Sequence, residues 1–222
     1  MPNRIARRSQ QQRRSETEQR VLTAAMALIA ERGSRAVSLA EVGRLAGYSS
    51  GIVSHHFGGK QQLLAAVVKH AQLFDVPVTG SCGLDQLSSL MSTYLTTFRE
   101  RAPAPQAFLL LWSEAVASDP VLAPLFAERD AWFRGLLASY VRSGIDDGSI
   151  RTDADPEAVA VSVLGLLRGI GMQLISTAEQ APLELIVNQV VGIVQHGLAP
   201  TAGTGEPVWQ RDRRSTSDDS AR

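Results

Sequence analysis

One cysteine, Cys82, stands in the whole chain of 222 residues, so no intrachain disulfide can form and a reducing compartment suits the protein. Alternating runs of β-branched residues are missing too, and with them any expectation of a strand. No uninterrupted apolar run approaches the roughly 18 residues that span a bilayer, because the stretch 158–167 stops at Arg168; no membrane partner is expected. A Gly-rich phosphate loop, a metal-ligand constellation and a nucleophile set beside a base are all lacking. Ser54 and His55 are neighbours without a visible acid partner. These absences argue against an enzyme and leave no cofactor or metal to expect. His55 and His56 are adjacent, hence about 100° apart on a helix, and cannot face one metal as an i, i+4 pair does.

Net charge is lacking as well, since 22 Lys and Arg balance 22 Asp and Glu. The average hides a split. Residues 1–70 hold 11 basic and 4 acidic side chains, a balance of +7, whereas residues 71–222 hold 11 and 18, a balance of −7. The first part carries the field a polyanion requires, and the second is acidic enough to stay off DNA.

What is present is helical periodicity, with apolar residues recurring at three and four. Five arginines, Arg4, Arg7, Arg8, Arg13 and Arg14, precede the apolar run 21–30 and superficially resemble a leader peptide. Glu16, Glu18 and Arg20 separate the two, and Ser15 with Glu18 has capping-box spacing. Residues 1–14 are therefore read as a basic disordered arm that engages phosphates or the minor groove. A helix is expected over 15–32, burying Val21, Leu22, Ala25, Leu28 and Ile29, with Gly33 at its end. Ser38 and Glu41 form a second capping box ahead of a short helix that Gly47 ends, and Ser49 caps a third.

Two short helices around a Gly-centred turn, crossed by a longer one, make a helix-turn-helix unit. Its second short helix is polar where it faces out. Tyr48, Ser49, Ser50, Gly51, Ser54 and His55 supply small or hydrogen-bonding groups suited to phosphates and base edges, and Ile52, Val53 and Phe57 are read as its buried side. His56 is expected to brace the turn or touch phosphate. Ser38 and Lys60, both at helix starts, are further phosphate candidates, although Ser38 also suits a purely capping role. A fourth, connecting helix over 61–74 completes a domain spanning 15–76.

A larger helical domain is expected over 77–199, and a disordered tail rich in Gly, Ser, Thr, Asp and Arg over 200–222. Helices are expected over 84–101, 105–117 and 120–147, with Pro124 a possible break near the start of the last. Phe98, Phe108, Trp112, Phe126, Trp132 and Phe133 are candidates for an effector pocket and equally for plain core. Glu114 and Arg168 are charges in apolar helices; each could pair with the other, anchor a ligand or sit at the surface. Asp155, Pro156 and Glu157 start a long helix. It carries Val159, Val163, Leu166, Leu167, Ile170 and Leu174; the next carries Leu183, Ile186, Val187, Val190, Val191 and Val194. Both stripes are read as a dimer interface, with Gly165, Gly169 and Gly171 allowing close approach.

Residues 15–71 resemble the N-terminal domain of the TetR family of bacterial repressors. The family's recognition segment reads Gly, Val, Ser, any, Gly, any, Leu, Tyr, any, His, Phe, any, any, Lys, and Gly47, Ser49, Gly51, His56, Phe57 and Lys60 stand in those places. Tyr48 replaces a small aliphatic residue, and Ser54 replaces the tyrosine that reaches the DNA backbone, which shifts the expected phosphate contacts towards Tyr48, His55 and Lys60. The wording of 51–57 is similar to that of choline-responsive repressors of glycine betaine synthesis, a likeness confined to this helix. The resemblance implies an all-α protein: a three-helix DNA-binding head on a larger effector-binding and dimerisation domain. It further implies a cytoplasmic bacterial homodimer released from a pseudo-palindromic double-stranded operator by an unidentified small molecule. The competing readings are a helical small-molecule or lipid-binding protein with a non-functional head and, more weakly, an all-helical enzyme.

Overall fold

A computed structural model describes residues 10–71, 79–99, 102–117, 119–176 and 182–200, and every regular element among them is a helix. The expectations placed on Arg4, Arg7 and Arg8, on the junction around residues 72–78 and on the tail from 201 onwards lie outside the described residues.

The first four helices are α1 (Gln10–Arg32), α2 (Leu39–Ala46), α3 (Ser50–Phe57) and α4 (Lys60–Ala71). In α1 the side chains Val21, Leu22, Ala25, Leu28 and Ile29 are all buried, as their spacing requires. Its start corrects the sequence reading: Gln10 to Arg14 are helical, so Arg13 and Arg14 belong to a rigid element and Ser15 is an interior residue instead of a cap. The run Gln10–Gln12 is made of a good helix former, which lets the helix extend past the position where a capping residue suggested a start.

Between α2 and α3 the chain turns in three residues. Gly47 adopts φ 81° and ψ 29°, the left-handed region where a Cβ is unfavourable, and its N–H reaches back to the carbonyls of Arg44 and Gly43. The turn also needs Gly43, because a Cβ there would lie 2.8 Å from the Tyr48 carbonyl oxygen. Ser38 and Glu41 form the complete capping box on α2, and the Ser49 hydroxyl accepts from the Ile52 N–H at the start of α3.

Five longer helices follow: α5 (Gly83–Thr96), α6 (Pro103–Val116), α7 (Leu122–Asp146), α8 (Pro156–Ser176) and α9 (Leu183–Leu198). Pro124 does not break α7. It sits in the first turn, where its missing N–H has no helical partner to lose, and Asp119 caps that turn by accepting from the N–H groups of Val121 and Leu122, each at 2.9 Å. Asp155 caps α8 through the Ala158 N–H at 2.7 Å. Asp147 accepts from the Gly83 N–H at 2.7 Å and from the Ser149 N–H at 2.9 Å, joining the end of α7 to the start of α5; the Ser149 side chain first, and then these two N–H groups, hold its carboxyl below the usual range.

Helix α7 packs along α8 and α5, while α9 lies on α5. The two groups of helices are joined chiefly by α6, which packs on α1 and α4, and one continuous apolar core runs through both. By length and hydropathy α8 is the one described helix able to cross a bilayer, with mean hydropathy 1.8 over 18 residues. It carries the charged Arg168, and its inward face is packed against α7.

The faces of α8 and α9 correct the expected dimer stripes. Val163, Leu167, Val187 and Val190 are buried in the chain's own core; Val159, Leu166, Ile170, Leu174, Leu183, Ile186, Val191 and Val194 are half-buried against it. What faces outward on α8 is Val161, Gly165 and Gly169, and on α9 Leu185, Gln189 and Ile193, each set four residues apart. Val161, Leu185 and Ile193 are 58%, 58% and 66% exposed, and a Cβ added at Gly165 or Gly169 meets nothing within 4 Å. Gly171 points the other way: its Cβ would lie 2.7 Å from Leu109 and 2.9 Å from Phe98. Hydrophobic stripes wide enough for two neighbours cannot be divided from composition alone, and α5 and α7 claimed the larger share.

Candidate nucleic-acid interface and ligand cleft

In α3 only Val53 is fully buried. Ser49, Ser50, Gly51 and His55 are exposed, and Ser54 is half-buried beside them, so the expected polar face does point outward. Ile52 departs from the sequence reading: it is 41% exposed and lies on that face, whereas Val53 and Phe57 pack inward. A single apolar group among serines suits contact with a thymine methyl. A Cβ on Gly51 would meet nothing closer than the Ser49 hydroxyl at 3.8 Å, so the glycine leaves an open notch in the face.

Tyr48 does not stand free at the front of α3. It is half-buried, its hydroxyl is hydrogen-bonded to that of Thr17 at 3.2 Å, and the Arg20 guanidinium lies 5.7 Å from its ring centroid. Its bulk fastens the turn to α1, and the cation exposed beside the turn is Arg20. Lys60 is similarly engaged, its ammonium donating to the Arg35 carbonyl at 3.1 Å. Ser38 spends its hydroxyl within the capping box, 2.8 Å from the Glu41 carboxylate, which these bonds hold below the usual carboxylate range. Each of these three side chains already holds a partner within the head in this conformation.

Four other expected residues come together where α1 meets α3. Because Arg13 and Arg14 are helical, they share a cleft of about 500 Å³ with Gln10, Thr17, His55 and His56, between the first turns of α1 and the end of α3. Both ring nitrogens of His56 are buried without a hydrogen-bond partner among the described residues. The cleft is lined by cationic and hydrogen-bonding groups with no carboxylate among them, a chemistry that fits a phosphate beside the groove-facing helix. No cluster able to hold a metal exists among the described residues.

The second site lies between α6, α7 and α8. Arg168 is 6% exposed and makes a two-pronged ion pair with Asp130, while its guanidinium stacks 4.6 Å from the ring of Trp112. Next to it is a cleft of about 320 Å³ lined by Trp112, Asp130, Arg134, Arg168, Leu164, Met172 and the outward residues Val161, Gly165 and Gly169. Tyr94 is buried near this group, and loss of water pushes its hydroxyl up to about 12. Arg129 is shifted down, first by burial and then by Arg168, while it covers Trp132 at 4.4 Å.

Of the eight candidate pocket residues, only Trp112 and Arg168 line this cleft. Phe98, Phe108, Phe126 and Phe133 are core, with Phe108 and Phe126 ring centroids 5.1 Å apart. Trp132 is 54% exposed on the outside of α7. Glu114 pairs with neither Arg168 nor the cleft. Its carboxylate accepts from the Ser34 hydroxyl and, at 3.3 Å, from the Ser34 N–H, linking α6 to the buried end of α1. Asp130, Arg134, Thr17, Arg20 and the Ser34 link escaped sequence reasoning. An acid facing Arg168 was the one partner its burial demanded, but several acids qualified and nothing local singled out Asp130.

The model of bacterial regulatory proteins of the TetR family matches residues 21–67, and that of the BetI-type transcriptional repressor C-terminal region matches residues 84–199. Among curated relatives, the HTH-type transcriptional repressor KstR2 of Rhodococcus jostii is 26% identical over 186 residues, which span 81% of this chain and 89% of that one. The HTH-type transcriptional regulator BetI of Rhizobium meliloti is 32% identical over 120 residues, spanning 49% and 58%. Among solved structures, a TetR transcriptional regulator from Chloroflexus aurantiacus superposes with a TM-score of 0.74 at 23% identity, covering 85% of this chain and 99% of that one. A putative transcriptional regulator from Saccharomonospora viridis in complex with choline gives 0.71 at 23% identity, covering 83% and 98%. These solved structures share the fold.

Proposed function

The chain belongs to the TetR family of bacterial regulatory proteins and carries a BetI-type repressor C-terminal region, and from that membership we propose how its parts divide the work of a DNA-binding transcriptional regulator. Residues 10–71 are the DNA-reading head and residues 83–199 the effector-binding and dimerisation body. The observation that carries this division is the outward face of α3, where Ser49, Ser50, Gly51, Ile52 and His55 meet solvent beside the arginine-lined cleft of α1. The face enters the major groove, with Ser54 at its edge, and Arg13, Arg14, Arg20, His55 and His56 hold phosphates on either side.

Two copies associate through the outward faces of α8 and α9. Val161, Leu185 and Ile193 are apolar and unpartnered in one chain, and Gly165 and Gly169 let a second helix come close. Two-fold symmetry then sets the paired α3 helices against half-sites one DNA turn apart, about 34 Å.

A ligand in the body acts on the head through α6. That helix carries Trp112 on the cleft and Glu114 against Ser34, so a shift of α6 on ligand entry disturbs the bond to the end of α1. The protein is a repressor released by its effector, works in the bacterial cytoplasm and has no catalytic role of its own. Support for the last point comes from relatives that are regulators. A gel shift of the purified protein on genomic fragments, repeated across salt, tests the reading: sequence-selective retardation with a steep salt slope is expected, and non-selective or absent binding contradicts it.

A further inference from the structure

The cleft between α6, α7 and α8 has a charge arrangement that chooses among ligands. Its lining holds two arginines, Arg134 and Arg168, against one carboxylate, Asp130, a surplus of one positive charge. Asp130 is already spent, since both its oxygens receive Arg168 N–H groups. Arg134 is half-buried and makes no ion pair among the described residues, and the Nε of Arg168 is buried with no hydrogen-bond partner among them. Arg134 is therefore the cation of the lining without an acceptor of its own, and an incoming anion supplies one.

The same arrangement disfavours a cation. A quaternary ammonium seeks an aromatic face and a nearby carboxylate, and the cleft offers one of each in Trp112 and Asp130. Arg168 occupies both, stacked 4.6 Å from the indole and paired with the acid, so an ammonium would have to displace a guanidinium and then face Arg134. The remaining walls, Val161, Leu164 and Met172, are apolar, and about 320 Å³ is at the small end of ligand pockets.

We propose that this cleft takes a small organic anion, a monocarboxylate with a short aliphatic or aromatic body, its head held by Arg134 beside the Arg168–Asp130 pair and its body laid on Leu164 and Met172. The assignment rests on the reading of the body as an effector domain and names the chemical class of the effector. One negative charge neutralises the surplus, and the planar carboxylate matches the guanidinium fork of Arg134. Choline is disfavoured in this cleft, because Arg168 already covers the Trp112 ring and pairs with Asp130.

The test titrates the full-length protein calorimetrically with butyrate, octanoate and phenylacetate, with the alcohol matched to each, and with choline. At least one carboxylate should bind tenfold or more tightly than its alcohol, and choline should give no heat above dilution. Arg134→Gln should erase that preference and Arg134→Lys should keep part of it, with circular dichroism melts verifying that both variants fold. Carboxylates that bind no better than their alcohols, whether equally or undetectably, overturn the assignment, as does a preference that survives Arg134→Gln or tight choline binding. Operator binding by the ligand-free wild type is measured on the same preparation: if it is absent, the regulator reading itself falls, whereas intact operator binding without a carboxylate preference removes only the anion assignment.

Discussion

The arginines of α1 and the arginine of α8 are the same residue put to opposite uses. Arg13, Arg14 and Arg20 are exposed on the head and line open surface beside the groove-facing helix, while Arg168 is sealed in the body between Asp130 and Trp112. An exposed cation costs almost nothing to keep and acts at range on any polyanion. A buried one must be paired at every turn, so it acts on a single neighbour and marks where a ligand can compete. The head is thus built to read a repetitive charged polymer, and the body to sense one small molecule. The bond between Ser34 and Glu114 lies where the two meet.

Substitutions probe the two kinds of arginine separately, and the buried pair should respond most. Asp130→Asn strands the Arg168 charge and should cost about 3 kcal/mol in chemical denaturation, the lower end for a broken buried pair because Asp130 keeps some contact with solvent. Gly51→Glu fills the notch on α3 and adds a like charge opposite phosphate. Operator affinity should fall at least 100-fold by fluorescence anisotropy, about 2.7 kcal/mol, with the melting curve unchanged because the added Cβ is unopposed.

Glu114→Ala leaves the donors of Ser34, which is 3% exposed, without acceptors and should destabilise by about 1–3 kcal/mol. Its more telling effect is to weaken ligand-induced release of DNA while ligand binding itself persists. Smallest in stability are Arg13→Gln and Arg14→Gln, within about 0.5 kcal/mol of wild type as surface changes. Each should lower the slope of log affinity against log salt by about 0.9 if it holds one phosphate. An unchanged slope would mean that the cleft beside α3 faces solvent in the complex.

The head left more of itself in the sequence than the body did. Its helices are short, so each carries a start and a stop in view: Ser38 with Glu41, Gly47 at positive φ, Ser49. Those signals are local, and local chemistry decided them. The start of α1 was misread because a capping-box spacing at Ser15 competed with glutamine-rich sequence of high helix propensity before it, and propensity won. Tyr48 and Lys60 look free in the sequence, but the partners that engage them, Thr17 and Arg35, lie 31 and 25 residues away.

In the body the helices themselves were legible from Pro156, Asp155 and the apolar spacing, and their neighbours were not. Val163 and Leu167 face α8's own core, while Val161, two residues back from Val163, faces out. An apolar stripe reports that a face is covered without saying by which helix. The aromatic residues behaved likewise: four phenylalanines filled core, and Trp112 alone among the candidate aromatics lined the cleft, beside charged, aliphatic and small residues that composition gave no reason to group.

In the proposed complex two copies of the α3 face, held apart by the α8 and α9 faces, read two half-sites. Methylation interference on the operator, run beside sedimentation of the protein–DNA complex, tests it most directly. Two clusters of interfering guanines in the major groove are expected, centred about one helical turn, 34 Å, apart, in a complex of two chains per site. A single cluster bound by one chain, or interference confined to the minor groove, would contradict it.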